Sequence, residues 1–379
     1  MSASVEIQLI AVIISVACAM SGTFLVLRKM SMMTDSITHT ILFGIVVAYF
    51  ATKDLNSPLL IIGAAVVGVF TVWLTELVVK TKLVSEDSAI GLVFPLLFSL
   101  AIILVTKFAD SVHLDVDTVL LGELAFAPFE RMEVFGHDIG SVGLWLGIVL
   151  LLINLLFIVI LFRVLKLSTF DTLLATILGF SPVIIHYSLM TVVSITAVGA
   201  FQAAGSILVI AFMIVPPATA YLLSNNLKVI IFLSGVIGAV SSLLGYQLAR
   251  ALDASIAGAI AVVAGIIFVV VLITAPKRGV VSVILKRRRL REEFRDFTLL
   301  FHLKNHQGTE LENTENYIGT LTDHFHWNER KMNKVLRKLN DEGKIAIDGE
   351  IVKLTKLGNG KMLELHRFFF GSRFADEIA

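Results

Sequence analysis

The hydrophobic pattern of this chain is a series of long apolar runs separated by short charged segments. Seven runs contain no Asp, Glu, Lys or Arg and are close to the about 20 residues that a membrane helix needs. They are Leu9 to Leu27, Ser36 to Thr52, Ser57 to Thr75, Ser88 to Thr106, Gly140 to Phe162, Val229 to Ala249 and Ala254 to Pro276. An eighth run, Thr172 to Leu227, has 56 residues without such a charge. It is long enough for a short amphipathic segment and two passages with a break near Gly199 to Gly205. The pattern predicts nine membrane passages, with eight as the alternative.

Composition agrees with this pattern and adds a domain boundary. The 379 residues are 56% hydrophobic and 16% charged, with a mean hydropathy of +0.88, which excludes an ordinary soluble domain. Residues 1–285 carry 13 Lys/Arg and 15 Asp/Glu, whereas residues 286–379 carry 18 and 15. We therefore predict an all-α polytopic transmembrane domain over residues 1–285 and a separate cytoplasmic domain over residues 286–379.

The basic residues of the short connections predict the orientation of the membrane domain. Cytoplasmic loops are enriched in Lys and Arg. With nine passages and an internal tail, nine basic residues fall inside and four outside, which favours a cytoplasmic C-terminus. The inner set is Arg28, Lys29, Lys80, Lys82, Arg163, Lys166, Lys228, Lys277 and Arg278; the outer set is Lys53, Lys107, Arg131 and Arg250.

Asp35 and His39 are the first candidates for chemistry. They lie where the second apolar run begins, four residues apart, so a helix would place them on one face. Ionisable side chains are costly inside a bilayer, and those found there usually line a path for an ion or a proton. The alternative is structural: Asp35 caps the second helix, and His39 makes an interhelical hydrogen bond.

One chain supplies too few ligands at this position to enclose a metal. The single cysteine, Cys18, excludes a thiolate cluster, so a metal site would use N and O ligands. Two copies of the pair across a two-fold axis would give two Asp and two His, a set suited to Mn²⁺, Zn²⁺ or Fe²⁺.

The sequence contains no nucleotide-binding loop. The two Gly-Lys pairs, Gly343-Lys344 and Gly360-Lys361, are not followed by Ser or Thr. We therefore expect the chain not to be an enzyme, and any ATPase that drives it to be another chain.

An ordered set of short motifs over residues 5 to about 285 resembles the membrane permease of ABC importers for manganese, zinc and iron. The motifs are Leu27-Arg28-Lys29-Met30 with Asp35 and His39, Glu86-Asp87-Ser88-Ala89-Ile90-Gly91, Leu120-Leu121-Gly122, Phe170-Asp171 with Ala175 and Gly179, Val198-Gly199, Gly205-Ser206-Ile207-Leu208 and Pro216-Pro217-Ala218-Thr219-Ala220.

The resemblance implies a bacterial cell-membrane permease that moves a divalent transition metal as its substrate and holds no permanent cofactor. Of Mn²⁺, Zn²⁺ and Fe²⁺, the hard oxygen of an aspartate favours Mn²⁺. The resemblance also implies that Asp35 and His39 are the metal ligands. It further implies that the segment that couples to the ATPase includes Phe170, Asp171, Ala175 and Gly179.

The implied partners are a cytoplasmic ABC ATPase, an extracellular or periplasmic metal-binding protein, and a second permease subunit. Two other functions stay open: an ion-coupled secondary metal transporter, and a membrane-tethered metal-responsive regulator.

The tail predicts a small α/β domain of winged-helix type. Asn328 can cap a helix whose Met332, Val335, Leu336 and Leu339 form an apolar stripe. Asp348-Gly349 between two β-branched segments predicts a tight hairpin. The stretch through His366 is similar to iron- and manganese-dependent repressors, although Phe370 stands where that family has a carboxylate. We expect a regulatory or interaction role, and nucleic acid is the less favoured partner.

Overall fold

The computed structural model describes residues 2–53, 57, 59–108, 124–134 and 137–370. The chain divides into two compact units, Met1–Val280 and Val281–Ala379. The predicted boundary between residues 285 and 286 lies inside the helix Val280–His306. The predicted motif Leu120-Leu121-Gly122 lies outside the described residues.

The first unit is a helical bundle in which the apolar runs form helices close to their predicted positions. Its helices are α1 Ala3–Leu27, α2 Met32–Thr52, α3 Leu59–Lys80, α4 Glu86–Phe108, α5 Val142–Phe170, α6 Thr172–Ile177, α7 Pro182–Leu223, α8 Leu227–Leu252 and α9 Ile256–Thr274. A two-stranded antiparallel hairpin, β1 Arg131–Val134 and β2 His137–Ser141, precedes α5. In the described part of the chain, all of these helices except α6 are long and apolar enough to span a membrane, which makes eight.

Contacts along α1 define two ends of the bundle. At one end the Glu6 carboxylate lies 3.2 Å from the Arg131 guanidinium and accepts a hydrogen bond from the Ser141 amide. At the other, the Arg28 guanidinium donates to the hydroxyls of Ser168 and Thr169 near the end of α5. We call these the Glu6 end and the Arg28 end.

Helix α7 crosses the bundle twice. It is broken at Gly205, whose φ of 75° lies in the left-handed region that favours glycine. Its start is at the Arg28 end, where His186 and Tyr187 contact Glu76 of α3. Ala203 packs near Gly143, the second residue of α5, at the Glu6 end.

The chain then turns back towards the Arg28 end. A Cβ added at Gly22, six residues before Arg28, would overlap the Met213 backbone, and Tyr221 contacts Arg278 beyond α9. The described residues of this unit therefore make nine passages with eight long helices, and the break predicted near Gly199 to Gly205 is confirmed at Gly205.

Close helix packing and buried hydroxyls hold the bundle together. The Thr23 and Ser234 hydroxyls lie 3.0 Å apart between α1 and α8. The Asn154 amide donates to the Thr196 hydroxyl at 2.7 Å between α5 and α7. Small residues permit such approach, and interhelical hydrogen bonds satisfy polar groups where lipid offers no partner. The core of the unit lies on α1 and α7.

Over its described residues, the second unit has five helices and one hairpin. Its elements are α10 Val280–His306, α11 Glu312–Glu315, α12 Ile318–Phe325, α13 Glu329–Asp341, β3 Ile345–Asp348, β4 Ile351–Leu354 and α14 Lys356–Phe370.

Two local predictions for the tail are confirmed. The Asn328 side chain caps α13, and the stripe Met332, Val335, Leu336 and Leu339 is buried. The strands pair with Asp348 opposite Ile351, so the turn residues are Gly349 and Glu350, one position later than the predicted pair. Gly349 has a φ of 66°, which a tight hairpin turn requires.

Candidate functional site

Asp35 and His39 contact each other on the first turns of α2. His39 Nε2 lies 3.3 Å from Asp35 Oδ1, and each side chain is 30% exposed. Because α2 begins at Met32, His39 lies about 10 Å along the helix from its start. The predicted common face for these two residues is confirmed, whereas their role as metal ligands stays a prediction.

Helix α4 forms the wall beside this pair. The His39 ring stacks on Phe94, with ring centroids 5.5 Å apart, and meets Phe98 edge-on at 6.1 Å. The ring planes of two aromatic side chains thus restrict the orientation of the imidazole.

Three hydroxyl side chains flank the pair in the sequence of α2. The Thr38 hydroxyl donates to the Asp35 carbonyl at 2.9 Å. Thr34 and Ser36 are buried, and within the described part of the chain their hydroxyl oxygens have no hydrogen-bond partner. The position is therefore polar on more than one face of the helix.

One chain provides only part of a metal shell at this position. Among the residues that the structure describes, no third His, Cys, Asp or Glu converges with Asp35 and His39. Each of the two side chains is 30% exposed, so part of the pair can be reached from outside the described single-chain bundle. The pair is thus suited to share an ion with ligands that come from elsewhere.

The segment from Phe170 to Gly179 forms a short helix with an apolar exposed surface. Asp171 caps α6 by accepting a hydrogen bond from the Leu174 amide at 2.9 Å. Ala175 is buried, and Gly179 ends the segment with a φ of 85°. The exposed apolar side chains are Phe170, Leu173, Leu174, Ile177, Leu178 and Phe180. Asp171 is the one charged residue between Phe170 and Phe180. An exposed apolar patch of this kind is typical of a docking site for another protein.

A second acid–imidazole pair of the bundle was not predicted from the sequence. Glu76 Oε1 of α3 lies 2.7 Å from His186 Nε2 of α7, and the Tyr187 hydroxyl donates to Glu76 Oε2 at 2.6 Å. Glu76 and His186 are 110 positions apart in the sequence, so no local spacing predicts their contact.

His366 is part of an aromatic cluster rather than of a ligand set. It is buried, its ring lies 5.2 Å from that of Phe370, and it also faces Phe297 and Phe301. Among the described residues it joins no group of three potential metal ligands. Its similarity to a repressor's metal-binding histidine is therefore not matched by ligands around it.

Comparison with known proteins agrees with the architecture of the membrane unit. Residues 4–275 match the ABC 3 transport family. The chain belongs to that family. It is a multi-pass permease subunit rather than an enzyme, as the motifs and the lack of a nucleotide-binding loop predicted.

Two relatives differ in how much of the chain they match. The "Zinc transport system membrane protein TroD" of Treponema pallidum is 43% identical over 94% of this chain and 96% of its own length. The "Manganese transport system membrane protein MntD" of Bacillus subtilis is 39% identical over 74% of this chain and 95% of its own length. Nearly all of MntD is thus matched by about three quarters of this chain.

A solved structure shares the fold. It is described as "PsaBC from Streptococcus pneumoniae in complex with Fab" and has 28% sequence identity and a TM-score of 0.61. The similarity covers 73% of this chain and 94% of that one. The predicted helical membrane fold is thereby confirmed, and the finer winged-helix assignment of the tail is not.

Proposed function

We propose that this chain is the permease subunit of an ABC importer that moves a divalent transition metal across the cell membrane, with Asp35 and His39 as ligands. The observation that carries the proposal is their convergence, 3.3 Å apart and partly exposed, in a bundle of the ABC 3 transport family. An aspartate oxygen and an imidazole nitrogen suit Mn²⁺, Zn²⁺ and Fe²⁺.

The class of cargo agrees with the names of the relatives, which divide among the three metals. TroD is named for zinc, MntD for manganese, and a 29% identical protein of Haemophilus influenzae is a "Probable iron transport system membrane protein". The preference for Mn²⁺ stays a prediction, because the same two side chains suit each of these ions.

A second permease subunit would complete the metal shell. Two ligand atoms leave a transition-metal ion with at least two open positions. A neighbour that brings its own Asp and His to the exposed side of α2 would fill them. Loading would come from an extracellular or periplasmic metal-binding protein.

The surface of α6 is the proposed contact with a cytoplasmic ABC ATPase. Its apolar side chains point outwards, while the Asp171 cap and the buried Ala175 fix the helix to the bundle. Arg28 binds Ser168 and Thr169, which directly precede this segment, and α2 begins four residues after Arg28. Movement of α6 would therefore act close to the start of the helix that carries the ligands.

The Arg28 end is proposed to face the cytoplasm. The basic residues of the predicted inner set lie at or near this end, and the chain leaves the bundle there through Lys277 and Arg278. This orientation makes the second unit cytoplasmic.

For the second unit we propose a winged-helix domain with a regulatory or interaction role. The support is its order of elements: α12, the Asn328-capped α13, the β3–β4 hairpin and α14. TroD extends over most of the tail, whereas MntD does not, so the tail is an addition to the transport unit. A salt-dependent, sequence-specific affinity of the full chain for DNA would favour the tethered-regulator alternative instead.

The test is reconstitution of the full chain with its ATPase and binding protein in vesicles. We expect ATP-dependent uptake of at least one of Mn²⁺, Zn²⁺ and Fe²⁺, and a loss of about 100-fold or more in Asp35→Ala and in His39→Ala. Wild-type rates in both variants would contradict the ligand assignment. Uptake that needs a proton gradient but no ATPase would instead support the secondary-transporter alternative.

The matched control is Glu76→Gln, which removes a carboxylate charge from the other acid–imidazole pair of the same unit. Per folded molecule, this variant is expected to transport within about threefold of wild type. An equal loss in all three variants would show that the assay reports damage to the bundle rather than loss of a ligand.

A further inference from the structure

Three ligand-type side chains meet in the second unit, far from Asp35 in the sequence. They are His302 on α10, Glu315 at the end of α11 and His324 on α12. One ligand atom from each lies within 4.8 Å of the others, and in the described part of the chain this is the one such group of three or more. His324 Nδ1 is 3.1 Å from a Glu315 carboxylate oxygen. This group was not predicted from the sequence.

The fold fixes the backbone at each of these three residues. Leu299, Leu300 and Leu303 anchor α10 in the core of the unit, and Leu321 anchors α12. Directly after Glu315, the Asn316 carbonyl accepts a hydrogen bond from the Val352 amide of β4 at 3.0 Å. The three side chains therefore converge because the tertiary structure brings them together.

The donor set has the composition of a transition-metal site. Two imidazoles and one carboxylate bind Zn²⁺ or Fe²⁺ in many proteins and leave positions for water. Ligand atoms around such an ion lie about 3.3 Å from one another. The His324–Glu315 pair already has this separation, so binding requires an approach of His302 by no more than about 2 Å.

A third imidazole, the fourth ligand-type side chain, adjoins the cluster. His306 follows His302 by four residues on α10, and their ring centroids are 4.6 Å apart. Two histidines at this spacing on one helical face are a recurrent chelating pair.

The site is also open to ions from solution. Glu315 and His302 are half-buried, while the His324 side chain is 45% exposed. Without an ion, among the described residues the Glu315 carboxylate contacts only His324, His302 Nε2 lies 3.3 Å from the Glu315 backbone carbonyl, and His306 lies against the His302 ring. A bound cation provides a shared partner for all of them.

We propose that His302, Glu315 and His324 form a binding site for a divalent transition-metal ion in the C-terminal unit. Its ligands are residues of the second unit other than Asp35 and His39, so the site does not depend on the proposed transport function. His306 is placed to supply a further ligand.

The experiment is isothermal titration of the full, untagged chain in detergent with Zn²⁺ and Mn²⁺. It is done in an Asp35→Ala/His39→Ala background, which removes the proposed membrane ligands. We expect one remaining site per chain, and a loss of affinity of at least about 10-fold to 100-fold when His302→Ala or Glu315→Gln is added. Absorption bands of bound Co²⁺ in the visible range should disappear in the same variants.

The control is His326→Ala, which removes an exposed imidazole two residues beyond His324. It should leave affinity and the Co²⁺ spectrum unchanged. Failure of the Asp35→Ala/His39→Ala protein to bind either ion, or equal binding in the His302→Ala and His326→Ala proteins, would overturn the proposal. Circular dichroism shows whether each variant is folded. Transport assays on the wild-type chain are independent of this result, so failure of the transport function would be recognised separately.

Discussion

Two acid–imidazole pairs lie in the described part of the membrane unit, and they are built in different ways. Asp35 and His39 are on one helix, one turn apart, at 3.3 Å and 30% exposure each. Glu76 and His186 connect two helices at 2.7 Å and are less exposed, at 27% and 15%. The Tyr187 hydroxyl adds a third partner to Glu76.

This difference in geometry distinguishes a pair that stabilises helix packing from a pair that can bind an ion. A pair between helices with a short contact and an additional donor stabilises the packing of α3 against α7. A pair within one helix adds little to packing, because its partners are already neighbours in the sequence. Its partly exposed side chains remain available to bind an ion. The chemistry of the side chains is the same, and the tertiary contacts decide what each pair can do.

The largest expected effect on stability is that of Glu76→Ala. The substitution leaves His186 and the Tyr187 hydroxyl without their partner in a poorly solvated position, so we expect a loss of about 2–3 kcal/mol. The measurement is thermal unfolding of the purified chain in detergent. An unchanged midpoint would mean that the Glu76–His186 pair does not stabilise the bundle, and it would then not differ from Asp35 and His39 in this respect.

A smaller loss is expected for Tyr187→Phe. This change removes a single hydrogen bond to a carboxylate and keeps the aromatic ring, at a cost of about 1 kcal/mol. The double variant with Glu76→Ala tests the coupling: its loss should be smaller than the sum of the two single losses. Strict additivity would show that Tyr187 and Glu76 act independently.

The smallest expected effect is that of Asp35→Asn. Ion pairs one turn apart on a helix contribute about 0.3–0.5 kcal/mol, so unfolding should change by no more than that. The same variant should lose most metal uptake, since the amide binds cations poorly. A stability loss as large as that of Glu76→Ala would assign Asp35 to structure, against the proposed function.

The membrane helices could be predicted from the sequence because one physical constraint dominates them. Apolar runs of membrane length must form helices to satisfy their backbone groups. Their ends were less predictable. The run Ser57 to Thr75 stops before Glu76, whereas α3 continues to Lys80. Glutamate is a good helix former, so Glu76 ends the apolar run but not the helix.

Contacts between side chains of separate elements could not be predicted from the sequence, because they depend on tertiary packing. Asp35 and His39 could be paired because helical spacing alone places them together. The contacts of Glu76 with His186, and of His302 with Glu315 and His324, depend on the packing of separate elements. In the tail, the Asn328 cap and the hairpin at Gly349 followed from local rules, whereas the surroundings of His366 did not.

The break at Gly205 has a consequence for mapping the protein in cells. Two passages meet at a single residue without a loop between them, so the eight long helices of the described residues make nine passages, an odd number. The start of α1 and the end of α9 consequently lie on opposite sides. Reporter fusions at the two termini should report different compartments, and a topology drawn from helix number alone would place them in the same one.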